Sequence, residues 1–98
     1  MRVVFHPRAV EDALRIEAWW TANRLAAPDL FQRELETTVA AVASSPVLGT
    51  ISPDDEFRDV RRVLMRRTRY HVYYRTIGEV LEVLAIWHAA RGEGPTLG

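Results

Sequence analysis

Two histidines, His71 and His88, and two arginines, Arg75 and Arg91, are the residues of this chain best suited to chemistry on a phosphodiester. Imidazole titrates near neutral pH, so one histidine could remove the proton of a ribose 2′-hydroxyl while the other protonates the leaving oxygen. A guanidinium could hold the scissile phosphate. The same residues also admit a plainer reading, in which His88 and Arg91 anchor the end of an apolar strand and His71 and Arg75 solvate a sheet face. Metal chemistry has less to work with, because His6, His71 and His88 lack ligand spacing and the chain has no cysteine. No metal or cofactor is expected.

The second chemical feature is a concentration of charge. All thirteen basic residues are arginine, which removes any lysine-based mechanism. Residues 1–57 hold five Arg against nine acids, residues 58–75 seven against one, and residues 76–98 one against three. A net charge of zero therefore conceals a middle segment at +6. Like charges facing one another across strands destabilise a sheet unless an anion or an acidic partner lies there. Arg61, Arg62, Arg66, Arg67, Arg69 and Arg75, with Tyr73 between them, are the candidate contacts for such a partner. Trp19 is a further candidate: Trp20 belongs to the core stripe of its helix, and Trp19 lies roughly 100° around the axis, free to anchor in a partner's groove.

The elements that must position these residues follow from periodicity. RVVF, residues 2–5, reads as a strand closed by His6-Pro7, and proline suits the first turn of a helix. Ala9, Ala13, Ile16 and Trp20 recur at helical spacing to about Arg24, with Val10 and Leu14 widening the stripe. A second helix starts near Pro28-Asp29, carries Phe31, Leu35, Val39 and Val42, and stops at Ser44-Ser45-Pro46. The short link makes an antiparallel helical hairpin, with Trp19, Leu25 and Leu30 at or near its exposed side. Residues 46–57, rich in Pro, Gly and acids, read as an exposed loop. DVRRVLM, RYHVYYRTI and EVLEVLAIWH then read as three strands of an antiparallel meander. In the middle one, alternation sends Tyr70, Val72 and Tyr74 to one face and His71, Tyr73 and Arg75 to the other, beside Arg61 or Arg62. The last strand is apolar almost throughout, so it belongs at the centre with the N-terminal strand on its free side. The expected fold is α+β, a β-α-α-β-β-β chain with the helical hairpin on one face of a small, mainly antiparallel four-stranded sheet.

Length and composition fit one domain spanning residues 1–98. With 48% apolar and 27% charged residues, the chain is of ordinary globular composition. No apolar run approaches the ~18 residues of a membrane span, and the N-terminus lacks a secretory apolar core. The expectation is a cytoplasmic protein with no membrane contact.

Taken in order, FHPRAVEDALRIEAWW, SSPVLG, VRRVLMRRTRYHVYYRT and VLEVLAIWHAAR resemble the ParE branch of the RelE/ParE toxin superfamily, from about residue 3 to residue 91. The shared elements are a helix with an aromatic pair, Pro-x-x-Gly after the second helix, arginines leading into Tyr-Tyr-Arg, and a terminal strand ending in His-x-x-Arg. The resemblance implies the β-α-α-β-β-β fold. It also implies the toxin of a bacterial type II toxin-antitoxin system, neutralised by an antitoxin encoded in the same operon and joined to it in a hetero-oligomer. RelE-type members resemble ribonucleases that cut messenger RNA on the ribosome, often with a Tyr or His close to the C-terminus. ParE-type members are associated with poisoning DNA gyrase. Residues 92–98, GEGPTLG, supply no terminal Tyr and no base. That favours the gyrase-directed activity over a nuclease built on His71, Arg75, His88 and Arg91, with a non-toxic binding module as a further alternative.

Overall fold

The computed structural model describes residues 1–52 and 59–90. β1 (Arg2–Phe5) leads into α1 (Pro7–Asn23), and α2 (Leu30–Ser44) returns beside it. There follow β2 (Thr50–Ile51), β3 (Arg61–Met65), β4 (Tyr70–Ile77) and β5 (Val80–His88). The sheet order is β1-β5-β4-β3-β2, with β1 parallel to β5 and every other pair antiparallel.

This is the α+β arrangement of a helical hairpin on a mainly antiparallel sheet, with β5 an interior strand between β1 and β4; the central strand is β4. It has five strands rather than the expected four. Thr50 and Ile51, within the stretch read as an exposed loop, pair with Arg62 and Arg61. Gly49 makes this possible: a Cβ there would lie 2.5 Å from the Arg62 carbonyl oxygen and 2.6 Å from the Tyr74 hydroxyl. Residues 53–57 of the expected loop lie outside the described residues.

Both helices begin at their sequence signals. His6 sits at the N-cap of α1 and its Nδ1 accepts from the Arg8 N–H at 3.1 Å, with Pro7 in the first turn. Asp29 precedes α2, where its carboxylate pairs with Arg33 at 3.0 Å instead of capping the backbone. The main core lies between the helices and the sheet: Ala9, Ile16 and Trp20 of α1 and Phe31 and Leu35 of α2 meet Met65, Val72, Val83 and Ile86. Val42, Tyr74 and Leu81 extend it towards the end of α2. Leu30 packs against this core and is half-buried, not exposed.

The apolar stripe of α1 is narrower than expected. Val10 and Leu14 are 43% and 62% exposed, and the fourth buried position is an acid, Asp12. The reason lies in the sheet. β1 ends at Phe5, opposite Val83, so the edge of β5 beyond it has no strand to receive its backbone. The buried Ile86 N–H donates instead to Asp12 Oδ2 at 3.0 Å, and Arg15 binds the other oxygen at 3.1 Å. A buried N–H needs an acceptor, and α1 supplies one where β1 has run out.

β5 also carries one extra residue. Tyr74 pairs with Val83 but Tyr73 pairs with Ala85, leaving Leu84 as the bulged residue. Leu84 and Ala85 gather with Val60 and Tyr73 in a second buried cluster, on the face away from the helices.

Candidate functional site

The arginine-rich centre is a turn. Met65 and Tyr70 form the last pair of β3 and β4, and residues 66–69 close the hairpin. The Arg69 N–H donates to the Met65 carbonyl at 2.8 Å, the Arg69 carbonyl accepts from the Ala89 N–H at 2.8 Å, and Arg69 itself takes a left-handed φ of 68°. Glu34 of α2 holds the turn from beneath, its carboxylate accepting from the Arg67 N–H at 2.9 Å, the Thr68 N–H at 2.9 Å and the Thr68 hydroxyl at 2.6 Å. Thr68 is buried, whereas Arg66, Arg67 and Arg69 are exposed. None of the three guanidiniums forms an ion pair with another described residue. Among the described residues the one carboxylate bound to this turn is spent on its backbone and the Thr68 hydroxyl, and the three arginines are exposed.

Beside the turn, on the sheet face away from the helices, alternation and register place Arg62, His71, Tyr73 and Arg75 together. They are not equivalent. Tyr73, expected as a contact residue, is 2% exposed, because the bulge turns Leu84 and Ala85 onto this face and packs them around its ring. Arg75 pairs across the strand with Glu82 at 2.9 Å, so most of its charge is compensated. Arg61 stands opposite Tyr74 on the helix-facing side, and its guanidinium donates to the Gly49 carbonyl at 2.9 Å. Of the two candidates for the His71 face, register selects Arg62. His71 is flanked by Leu64 and Trp87; partial burial, then the nearby Arg62 and Arg69 guanidiniums, hold its pKa below the ordinary 6.5. Both causes favour its neutral form.

His88 lies on the other side of the sheet. It pairs with Tyr70, a helix-facing residue, and its ring meets the Tyr70 ring edge-on at 4.9 Å. His88 Nδ1 accepts from the Ala90 N–H at 3.1 Å, which ties off the end of β5. The two histidines proposed to share one phosphodiester thus face opposite sides of the sheet. Arg91 lies outside the described residues. Trp19 is 44% exposed, with the Arg24 guanidinium 4.8 Å above its ring, and it lines a cavity of about 390 Å³ with Arg15, Ile16, Tyr70 and His88. Among the described residues, no three His, Cys, Asp or Glu side chains gather as metal ligands would. No described helix is long and apolar enough to cross a membrane.

A family model for the ParE toxin of type II toxin-antitoxin systems, parDE, matches residues 3–92. The chain belongs to the ParE toxin family. Its fold is similar to a chain of the chromosomal ParDE toxin-antitoxin system from P. aeruginosa, with a TM-score of 0.62 at 20% identity over 90% of this chain and 95% of that one. It is also similar to the isolated E. coli RelE toxin, with a TM-score of 0.59 at 19% identity over 94% of this chain and 87% of that one. The E. coli RelBE toxin-antitoxin complex matches at a TM-score of 0.56 and 18% identity, over 92% of this chain and 98% of the matched one. No curated protein sequence matches significantly. At these identities the structural likeness speaks to fold, and it includes ParDE and RelE alike.

Two features that the ParE resemblance brought forward acquire physical roles. Pro-x-x-Gly is a clamp on Tyr74, whose buried hydroxyl donates to the Pro46 carbonyl and accepts from the Gly49 N–H, each at 2.9 Å. The arginines leading into Tyr-Tyr-Arg divide between the exposed turn and the sheet face. Sequence reasoning missed Asp12 and Glu34. Asp12 had a signal, since an acid at helical spacing within an apolar stripe needs a buried partner. Glu34 had none, because its partners lie 33 and 34 residues away in a turn.

Proposed function

We propose that this chain is the growth-inhibiting toxin of a type II module and that it acts by binding DNA gyrase rather than by cutting RNA. The observation that carries this reading is the separation of His71 and His88 onto opposite faces of the sheet. Phosphodiester cleavage by a 2′-hydroxyl needs a base and an acid at one phosphate, with a cation beside them. Here the imidazoles cannot share a phosphate without rebuilding β5, and Arg75 is engaged by Glu82. An antitoxin silences the toxin by laying an apolar helix across Leu14, Trp19 and Leu25 and adding a strand to the outer edge of β3, where β2 covers only Arg61 and Arg62. The complex is a hetero-oligomer of higher order than one to one, a mass that light scattering on the co-purified pair measures.

Inducing the gene alone in bacteria should lower viable counts, and undiminished growth with soluble protein present would point to a non-toxic binding module. Purified toxin should inhibit gyrase supercoiling and leave ribosome-bound messenger intact. Codon-specific cleavage in a translating extract, lost in His88→Ala, would overturn the assignment in favour of the nuclease.

A further inference from the structure

We infer that the 66–69 turn is a phosphate-backbone contact for duplex DNA, formed by Arg66, Arg67 and Arg69 with Arg62 alongside. Three observations lead there. The first is uncompensated charge: the turn guanidiniums are exposed and make no ion pair among the described residues, whereas Arg15, Arg33 and Arg75 are each matched to a carboxylate. The second is the composition around them. Among the described residues no exposed large apolar side chain falls in residues 61–70; Leu14, Trp19 and Leu25 lie on the helical hairpin, and Ile51 pairs with Arg61 at the end of β3 far from the turn. A protein interface has an apolar, desolvated centre ringed by polar groups. A surface that offers cations alone recognises its ligand by charge, as contacts to a phosphate backbone do.

The third observation separates duplex from single strand. Single-stranded nucleic acid is held by bases stacked on exposed aromatic rings. Next to this turn Tyr70 is half-buried against the core with its ring against Phe31, and Tyr73 is buried. His71 and Trp87, on the face of Arg62, are half-buried as well, so among the described residues of β3, β4 and β5 no ring stands fully exposed as a stacking platform. The turn is also built before any ligand arrives: Glu34 fixes the backbone at Arg67 and Thr68, and the Ala89 N–H fixes it at Arg69, so little main-chain freedom is lost on binding. The inference deepens the gyrase reading, in which the target is an enzyme already holding a duplex, and rests on it for biological context.

The test contains no gyrase, so its failure and the failure of that reading are distinguishable. Fluorescence anisotropy of the full-length chain with a labelled mixed-sequence DNA duplex would be followed at graded KCl. The three turn arginines, at roughly 0.9 per phosphate contact, contribute about −2.7 to the slope of log K against log salt. Arg66→Ala, Arg67→Ala and Arg69→Asn should each make the slope shallower by about 0.9, with little dependence on DNA sequence. Asn is chosen at 69 because it tolerates the left-handed backbone there. Arg15→Ala, which removes an arginine already paired to Asp12, should leave the slope unchanged. Absence of binding at low salt, or an unchanged slope in the triple variant, would overturn the inference. So would equal competition by polyglutamate, which assigns the surface to an acidic protein, or tighter binding of single-stranded or duplex RNA.

Discussion

Removing one oxygen atom from Tyr74 should cost the fold far more than removing its counterpart one residue earlier. Tyr73 and Tyr74 are 2% and 1% exposed, on opposite faces of β4. The Tyr74 hydroxyl donates to Pro46 and accepts from Gly49 at 2.9 Å each, whereas that of Tyr73 makes no hydrogen bond to a described residue. A buried hydrogen bond contributes about 0.5–1.5 kcal/mol net, so Tyr74→Phe should destabilise by about 1–3 kcal/mol. For a domain of this size that lowers Tm by roughly 5–20 °C. Tyr73→Phe should stay within about 0.5 kcal/mol of the parent. Urea denaturation followed by tryptophan fluorescence would measure both, and a midpoint shift at constant slope isolates stability from changes in the unfolded chain. Equal midpoints for the two variants would refute the clamp as a source of stability, as would a larger loss for Tyr73→Phe.

Gly49→Ala must displace the Arg62 backbone, 2.5 Å from the new Cβ, and should cost at least about 1–3 kcal/mol. Combined with Tyr74→Phe the loss should be less than additive in a double-mutant cycle, because both changes open the same clamp. Asp12→Ala leaves the buried Ile86 N–H without an acceptor and should destabilise by about 1–3 kcal/mol; Asp12→Asn keeps an oxygen for it and should cost less in the same denaturation assay. His71 links stability to pH. Its folded pKa lies below the unfolded 6.5, so the unfolded chain takes up the proton first; stability is full above pH 6.5 and falls as pH drops from there towards the folded value. Urea midpoints at pH 7.5 and pH 5.5 should differ less in His71→Gln than in the parent, and an identical pH dependence would refute the assignment.

The sequence by itself determined the two helices, the order of four of the five strands and the facing of most strand residues, and missed β2. These rest on local pattern: the 3.6 period of Ala9, Ile16 and Trp20, the alternation that separates Tyr70, Val72 and Tyr74 from His71, Tyr73 and Arg75, and the apolar run of β5, broken only by Glu82, which places it inside the sheet. The ordered motifs also resembled the family to which the chain belongs. Tertiary structure decided what required two distant segments at once. The bulge at Leu84 buried Tyr73, and a single inserted residue opposite an unremarkable pair leaves no periodic trace in the sequence. Register decided that Arg62 and not Arg61 shares the face of His71, since a shift of one residue exchanges the two. The same geometry put His71 and His88 on opposite sides of the sheet. Charge compensation was equally non-local: Glu82 took Arg75 across a strand pair, while Glu34, from another layer, spent its carboxylate on the turn backbone and Thr68, leaving Arg66, Arg67 and Arg69 without an ion pair among the described residues. Composition counts charges along a chain, but which of them remain available depends on the distances between side chains, and those exist only in the folded molecule.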